Sequence, residues 1–218
     1  MSASEMTLNK PETMFLAAYL RQLTRWSPDA AVRVQTNGKA AGFYGSPLGE
    51  VITLITIPMA EPMAEDIDCV VSAGRLRDVI GDVQRLQGPT TLTLPDETST
   101  PPSLVTLPPA DGWAPSFTGV AADIAALIDP ELATLAARTE LLDDTWRERT
   151  IRERWAEPSW SALPFGVLHA ARAHGFLNHG PAQIRMSTNG PWKRLATPAG
   201  QVFSRVSDGL ARLLVVKD

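Results

Sequence analysis

Three histidines, His169, His174 and His179, recur at intervals of five. A metal pair on one helical face needs an interval of four, so these rings turn away from each other and predict no metal site. Cys69 sits in a short apolar stretch with no histidine nearby and reads as a buried, inert thiol. Asp143 and Asp144 are neighbours, and adjacent helical carboxylates point apart, so both are assigned to solvent. No glycine-rich loop ends in Gly-Lys-Ser/Thr, and Gly-x-Ser-x-Gly is missing. With no nucleophile, base and orienting group in view, neither an enzyme nor a bound cofactor is expected.

The groups left to act are cations. Arg147, Arg149, Arg152 and Arg154 form the densest basic run, interleaved with Glu148 and Glu153. Two readings apply. Glutamates at helical spacing, such as Glu148 with Arg152, would make an ion-paired, solvated face. Alternatively the run contacts phosphates. Most arginines fall on predicted helices, while the acidic residues are spread more evenly. An acidic chain with basic helices suits sequence-independent contact with a phosphate backbone. The expected contacts are Arg21, Arg25, Arg75, Arg77, Arg85, Arg147, Arg149, Arg152, Arg154 and Arg172.

Helices and strands must position these groups. Pro11 and Glu12 open a helix that carries Leu16, Tyr19, Leu20 and Leu23 inward and ends near Trp26, before Ser27-Pro28-Asp29. Val32, Val34 and Thr36 alternate with polar residues, and Asn37-Gly38 then signals a hairpin. Residues 49–57 and 67–71 read as strands, with a loop between. Ser72 caps a helix with an apolar stripe of Leu76, Val79, Ile80, Val83 and Leu86. Residues 90–94 and 104–107 read as strands. Residues 108–129, rich in Pro, Gly and Ala, read as a connector. Trp113 and Phe117 within it are apolar anchors or exposed partner-docking groups. Asp129-Pro130-Glu131 predicts a helix start, with the helix running as far as Trp155. Another helix is expected over 163–177, then strands over 183–188, 192–197, 201–206 and 210–216. No opening strand is legible in the second half.

The chain of 218 residues, 44% hydrophobic and 20% charged, can bury a core. Its net charge of −4 argues against a uniformly basic coat for nucleic acid, though not against a basic face. A lone cysteine precludes an internal disulfide and fits a reducing cytoplasm. No stretch has the length of apolar sequence a membrane helix needs.

The two halves echo each other. Val-Arg-Val-Gln-Thr-Asn-Gly at 32–38 matches Ile-Arg-Met-Ser-Thr-Asn-Gly at 184–190. Ser-Pro-Leu-Gly-Glu-Val at 46–51 and Thr-Pro-Ala-Gly-Gln-Val at 197–202 follow at similar distances. Each copy is preceded by an apolar helix. Duplication explains this order, and so does convergence, because Asn-Gly is what a tight hairpin demands.

The element order, and the segment Asp-Cys-Val-Val-Ser-Ala-Gly-Arg-Leu-Arg-Asp-Val-Ile at 68–80, resemble the sliding DNA clamp superfamily. The segment is similar to a clamp strand running into its second helix. The resemblance implies an α+β fold: two similar units of antiparallel sheet plus helices, with the helices lining a central hole. It also implies a long connector beside a partner-docking pocket. The expected units are 1–107 and 130–218. The expected function is a non-enzymatic, DNA-associated scaffold in the cytoplasm. It contacts duplex DNA without sequence specificity, docks protein partners and forms a homo-oligomer. The alternative is a protein-interaction adaptor or chaperone-like module with no nucleic-acid role. Trp113, Phe117, Trp146, Trp155 and Trp160 would then be its anchors, unless they pack in the core.

Overall fold

In the computed structural model, which describes residues 4–47, 50–63, 65–83 and 88–206, the chain divides into two units, Met1–Leu107 and Pro108–Asp218.

In the first unit, β1 (Glu5–Leu8) leads into α1 (Lys10–Trp26). Three strands follow, β2 (Ala31–Asn37), β3 (Ala40–Gly45) and β4 (Val51–Pro58). Then come β5 (Asp68–Ser72), α2 (Ala73–Val83) and β6 (Thr90–Thr93). The order β5-β2-β3-β4 is antiparallel throughout, and β1 pairs separately with β6. The alternation expected of β2 is present: Val32, Val34 and Thr36 are buried, and Arg33 and Gln35 face outward. Leu16, Tyr19, Leu20 and Leu23 bury the inner face of α1. That face can approach β3 because residue 45 is glycine. A Cβ there would lie 2.7 Å from both Leu23 Cδ2 and the Tyr19 hydroxyl. The hydroxyl itself hydrogen-bonds Thr53 Oγ1 at 2.9 Å.

Residues 104–107 do not form the expected strand. Pro101-Pro102 instead begins a single helical turn, α3 (Pro102–Val105). A proline in the first turn fits a helix and cannot donate to a sheet ladder. Arg33 reaches this turn, donating to the Leu104 carbonyl at 2.9 Å while its fork grips Asp68 at 2.7 and 2.8 Å. That grip holds the Asp68 carboxyl below the usual range.

The second unit opens with β7 (Ala114–Val120) and α4 (Ala121–Thr139); the strand and the first half of the helix occupy the segment expected to be a connector. Pro115 disguises the strand. It is tolerated because β7 is the edge of the order β10-β9-β8-β7 and shifts register between Pro115 and Phe117. Pro130 lies inside α4 and does not start it. Nor does one helix run to Trp155. The chain breaks after Thr139 and α5 (Asp144–Ala156) restarts, with Asp143 accepting from the Trp146 amide at 3.0 Å. A 3-10 turn at Trp160–Ala162 precedes α6 (Phe165–Ala173), and β8 (Gln183–Asn189), β9 (Trp192–Thr197) and β10 (Gly200–Arg205) complete the sheet. The strand expected at 210–216 lies outside the described residues.

The sequence echo falls on equivalent elements. In each unit a helix precedes three consecutive antiparallel strands. Asn37 pairs with Ala40 and Asn189 with Trp192 around matching hairpin turns. Gly38 and Gly190 hold φ of 54° and 53°, where a side chain would be strained.

Candidate nucleic-acid interface

Four of the arginines expected to contact phosphates gather in the first unit. α1 turns Pro11, Met14, Phe15, Ala18, Arg21 and Arg25 to solvent, and α2 packs beside it with Arg75 and Arg77 exposed. Arg77 ties the two helices, donating to Thr24 Oγ1 on α1 at 3.2 Å, and pairs with Asp78 at 3.0 Å. Arg21 and Arg77 line one shallow recess with Ala17, Asp78, Gly81 and Asp82. Arg75 instead opens on a hydroxyl-rich hollow with Asp29, Asp96 and Glu97. Among the described residues, Arg21, Arg25 and Arg75 form no ion pair. Arg25 also sits in the last turn of α1, where the helix dipole favours a cation. Arg85 lies outside the described residues.

The five arginines expected in the second unit are all matched by carboxylates. On α5, Arg147 pairs with Asp144 at 2.6 Å and Arg149 with Glu153 at 2.8 Å, while Arg152 pairs with Glu148. Arg154 is shared by Glu131 of α4 and Glu157, and stacks 4.0 Å over the Phe165 ring. Arg147 also donates to the Thr139 and Leu142 carbonyls and so braces the α4–α5 turn. Arg172 on α6 grips Asp129 of α4 at 2.8 Å, which holds that carboxyl below its usual range.

The remaining candidates are structural. Trp155 is buried and donates from its indole to His169 Nδ1 at 2.9 Å. Burial pushes His169 and His174 down to about 4. Cys69 is buried, and that burial, with Glu97 and Asp68 nearby, pushes its thiol up to about 11, far from a nucleophile's range. Among the described residues no group of His, Cys, Asp and Glu could hold a metal ion, and no helix is long and apolar enough to cross a membrane.

Of the docking candidates, Trp113 packs inward. Its indole donates to the Pro109 carbonyl at 2.9 Å, and its ring rests 5.6 Å from that of Phe203. Phe117 stays 45% exposed on β7, edge-on to Trp160 at 4.9 Å. Three further arginines, Arg185, Arg194 and Arg205, lie on strands and so stand apart from the helical candidates. Their signal is visible in the sequence: no Asp or Glu occurs between Glu157 and Asp208.

Caulobacter crescentus pol III beta superposes with a TM-score of 0.58 at 12% identity, over 99% of this chain and 69% of that one. The DNA polymerase III subunit beta from Pseudomonas aeruginosa gives 0.57 at 13% identity, over 96% and 68%. The Helicobacter pylori beta clamp in complex with carprofen gives 0.52 at 10%, over 99% and 67%. The chain resembles the sliding clamps in fold. It spans about two thirds of the length of each clamp chain. Family models match both units: residues 1–99 match "Domain of unknown function (DUF8010)" and residues 108–209 match "Domain of unknown function (DUF8185)". No curated protein sequence matches the chain.

Proposed function

We propose that this clamp-like chain is a non-enzymatic scaffold that contacts duplex DNA through the α1–α2 face of its first unit and docks protein partners. One observation carries the reading: an exposed helix pair bears Arg21, Arg25 and Arg75 without ion-pair partners among the described residues, on a fold similar to DNA polymerase sliding clamps. Cations already matched by carboxylates release few counterions from DNA, whereas unmatched ones release more. The contacts are to phosphates and carry no sequence preference. The homo-oligomer expected from the sequence belongs to the same reading.

Anisotropy of a labelled duplex, titrated over a salt series, tests this. Binding should weaken with log salt at a slope of about 0.9 per phosphate neutralised. Mass by light scattering, measured alongside, should exceed one chain. A monomer without duplex binding at low salt would sink the proposal. The adaptor reading is favoured by Phe117 and by Trp146, exposed at 45% and 55% on the second unit. It predicts capture of a protein partner with no duplex binding at any salt.

A further inference from the structure

The sheet of the second unit carries a cationic stripe that its helices do not neutralise. Strand register places it. Arg194 on β9 faces Ser187 of β8 and Phe203 of β10, Arg185 lies two residues before Ser187, and Arg205 lies two residues after Phe203. Side chains two apart on a strand share a face, so the three arginines step diagonally across β8, β9 and β10. Diagonal neighbours of this kind are about 7–8 Å apart. Among the described residues none of the three forms an ion pair, and these strands contain no Asp or Glu.

Aromatic rings frame the stripe. The Arg194 guanidinium lies 4.4 Å from the centre of the Trp113 ring, and Arg205 lies 6.0 Å from that of Trp192. Arg194 is half-buried. Among the described residues its Nε is sealed without a hydrogen-bond partner, and its Nη2 reaches Ser187 Oγ at only 3.4 Å. Burial and the neighbouring Arg185 both disfavour its charge. A guanidinium held this way gains most from an anion at its open edge, and a carboxylate matches that fork.

We propose that the Arg185–Arg194–Arg205 stripe is a docking surface for an acidic, extended protein segment. This names the partner chemistry of the docking half of the function proposed above and rests on that half alone. Charge complementarity selects an anion, and two features select peptide over nucleic acid. Stacking of bases needs free aromatic faces, yet Trp113 is capped by Arg194 and Trp192 is only 8% exposed. Arg194 is also half-buried against the Trp113 ring, where a carboxylate on a flexible chain reaches more readily than a phosphate on a stiff duplex.

The test uses the full chain and two fluorescein-labelled peptides, three repeats of Glu-Glu-Phe-Gly and the same with Gln for Glu. The Glu peptide should bind about tenfold more tightly than the Gln peptide. The variant R185Q/R194Q/R205Q should lose that difference without a change in melting temperature. Equal affinity for both peptides overturns the proposal, as does full binding by the variant. Displacement of the peptide by oligo-dT or duplex reassigns the stripe to nucleic acid. A concentration-dependent mass abolished by the variant reassigns it to contact between copies. Duplex anisotropy on the same samples separates the two readings: peptide binding without duplex binding sinks only the DNA half.

Discussion

Arg25 and Arg152 stand on exposed faces of helices, one in each unit, and differ in what surrounds them. α1 carries a single carboxylate, Glu12, in its first turn, far from Arg21 and Arg25. α5 spaces Glu148 and Glu153 four residues from Arg152 and Arg149, and each pair closes on the helix surface. The denser basic run is therefore the more neutral surface. What decides a helix's capacity for phosphate is the placement of carboxylates one turn away, more than its count of arginines. The second unit uses Arg154, Arg147 and Arg172 to fasten α4, α5 and α6 to one another. Among the described residues, Arg21, Arg25 and Arg75 of the first unit fasten no helix through an ion pair.

Acid should separate the units most strongly, because all three histidines lie in the second. His169 and His174 ordinarily titrate near 6.5 and are held down to about 4 by burial. Their neutral forms stabilise the fold fully above the unfolded value. That contribution drains away as pH falls from 6.5 towards 4, since the unfolded chain takes protons first. It is on the order of 3 kcal/mol per ring. Amide exchange at pH 5 should show β8–β10 and α6 opening before β2–β5. Equal loss of protection in both units would break the contrast.

Removing Arg21, Arg25 and Arg75 together should weaken duplex binding by on the order of a hundredfold at low salt. The salt slope should shrink by about 0.9 for each phosphate no longer neutralised. Gly45→Ala forces α1 away from β3 and should cost about 1–3 kcal/mol in denaturant melts, with the duplex affinity falling alongside as the helix shifts. Arg154→Ala removes two carboxylate partners and the Phe165 stack, and should cost about 1–2 kcal/mol while leaving duplex binding intact. Smallest of all, R149A/R152A should change stability by less than about 0.5 kcal/mol and affinity by less than about twofold. A large loss of DNA binding in that last variant would reverse the assignment of the two surfaces.

Much of the first unit is legible in the sequence because local signals agree with tertiary ones. Pro11 and Ser27-Pro28 bracket α1, Asn37-Gly38 marks its hairpin, and Ser72 caps α2, its hydroxyl accepting from the Arg75 amide at 3.3 Å. The second unit misleads where proline sits inside a regular element. Pro115 sits in an edge strand and Pro130 inside a helix, so β7 and the first half of α4 read as connector. At the candidate interface, the Glu148–Arg152 pairing follows from spacing alone. The Arg154–Glu131 and Arg172–Asp129 pairs do not, because they join residues brought together only by packing. The arginine stripe escapes a reading of local spacing because strand register, which aligns it, is a property of the folded sheet.

Pro130 has one more consequence. It supplies no amide to the Ala126 carbonyl, so α4 is weakest at its middle. The residues flanking it, Asp129 and Glu131, are fastened to different helices, one to α6 and the other to α5. The two ion pairs thus clamp α4 on both sides of its missing hydrogen bond, each to a different neighbouring helix.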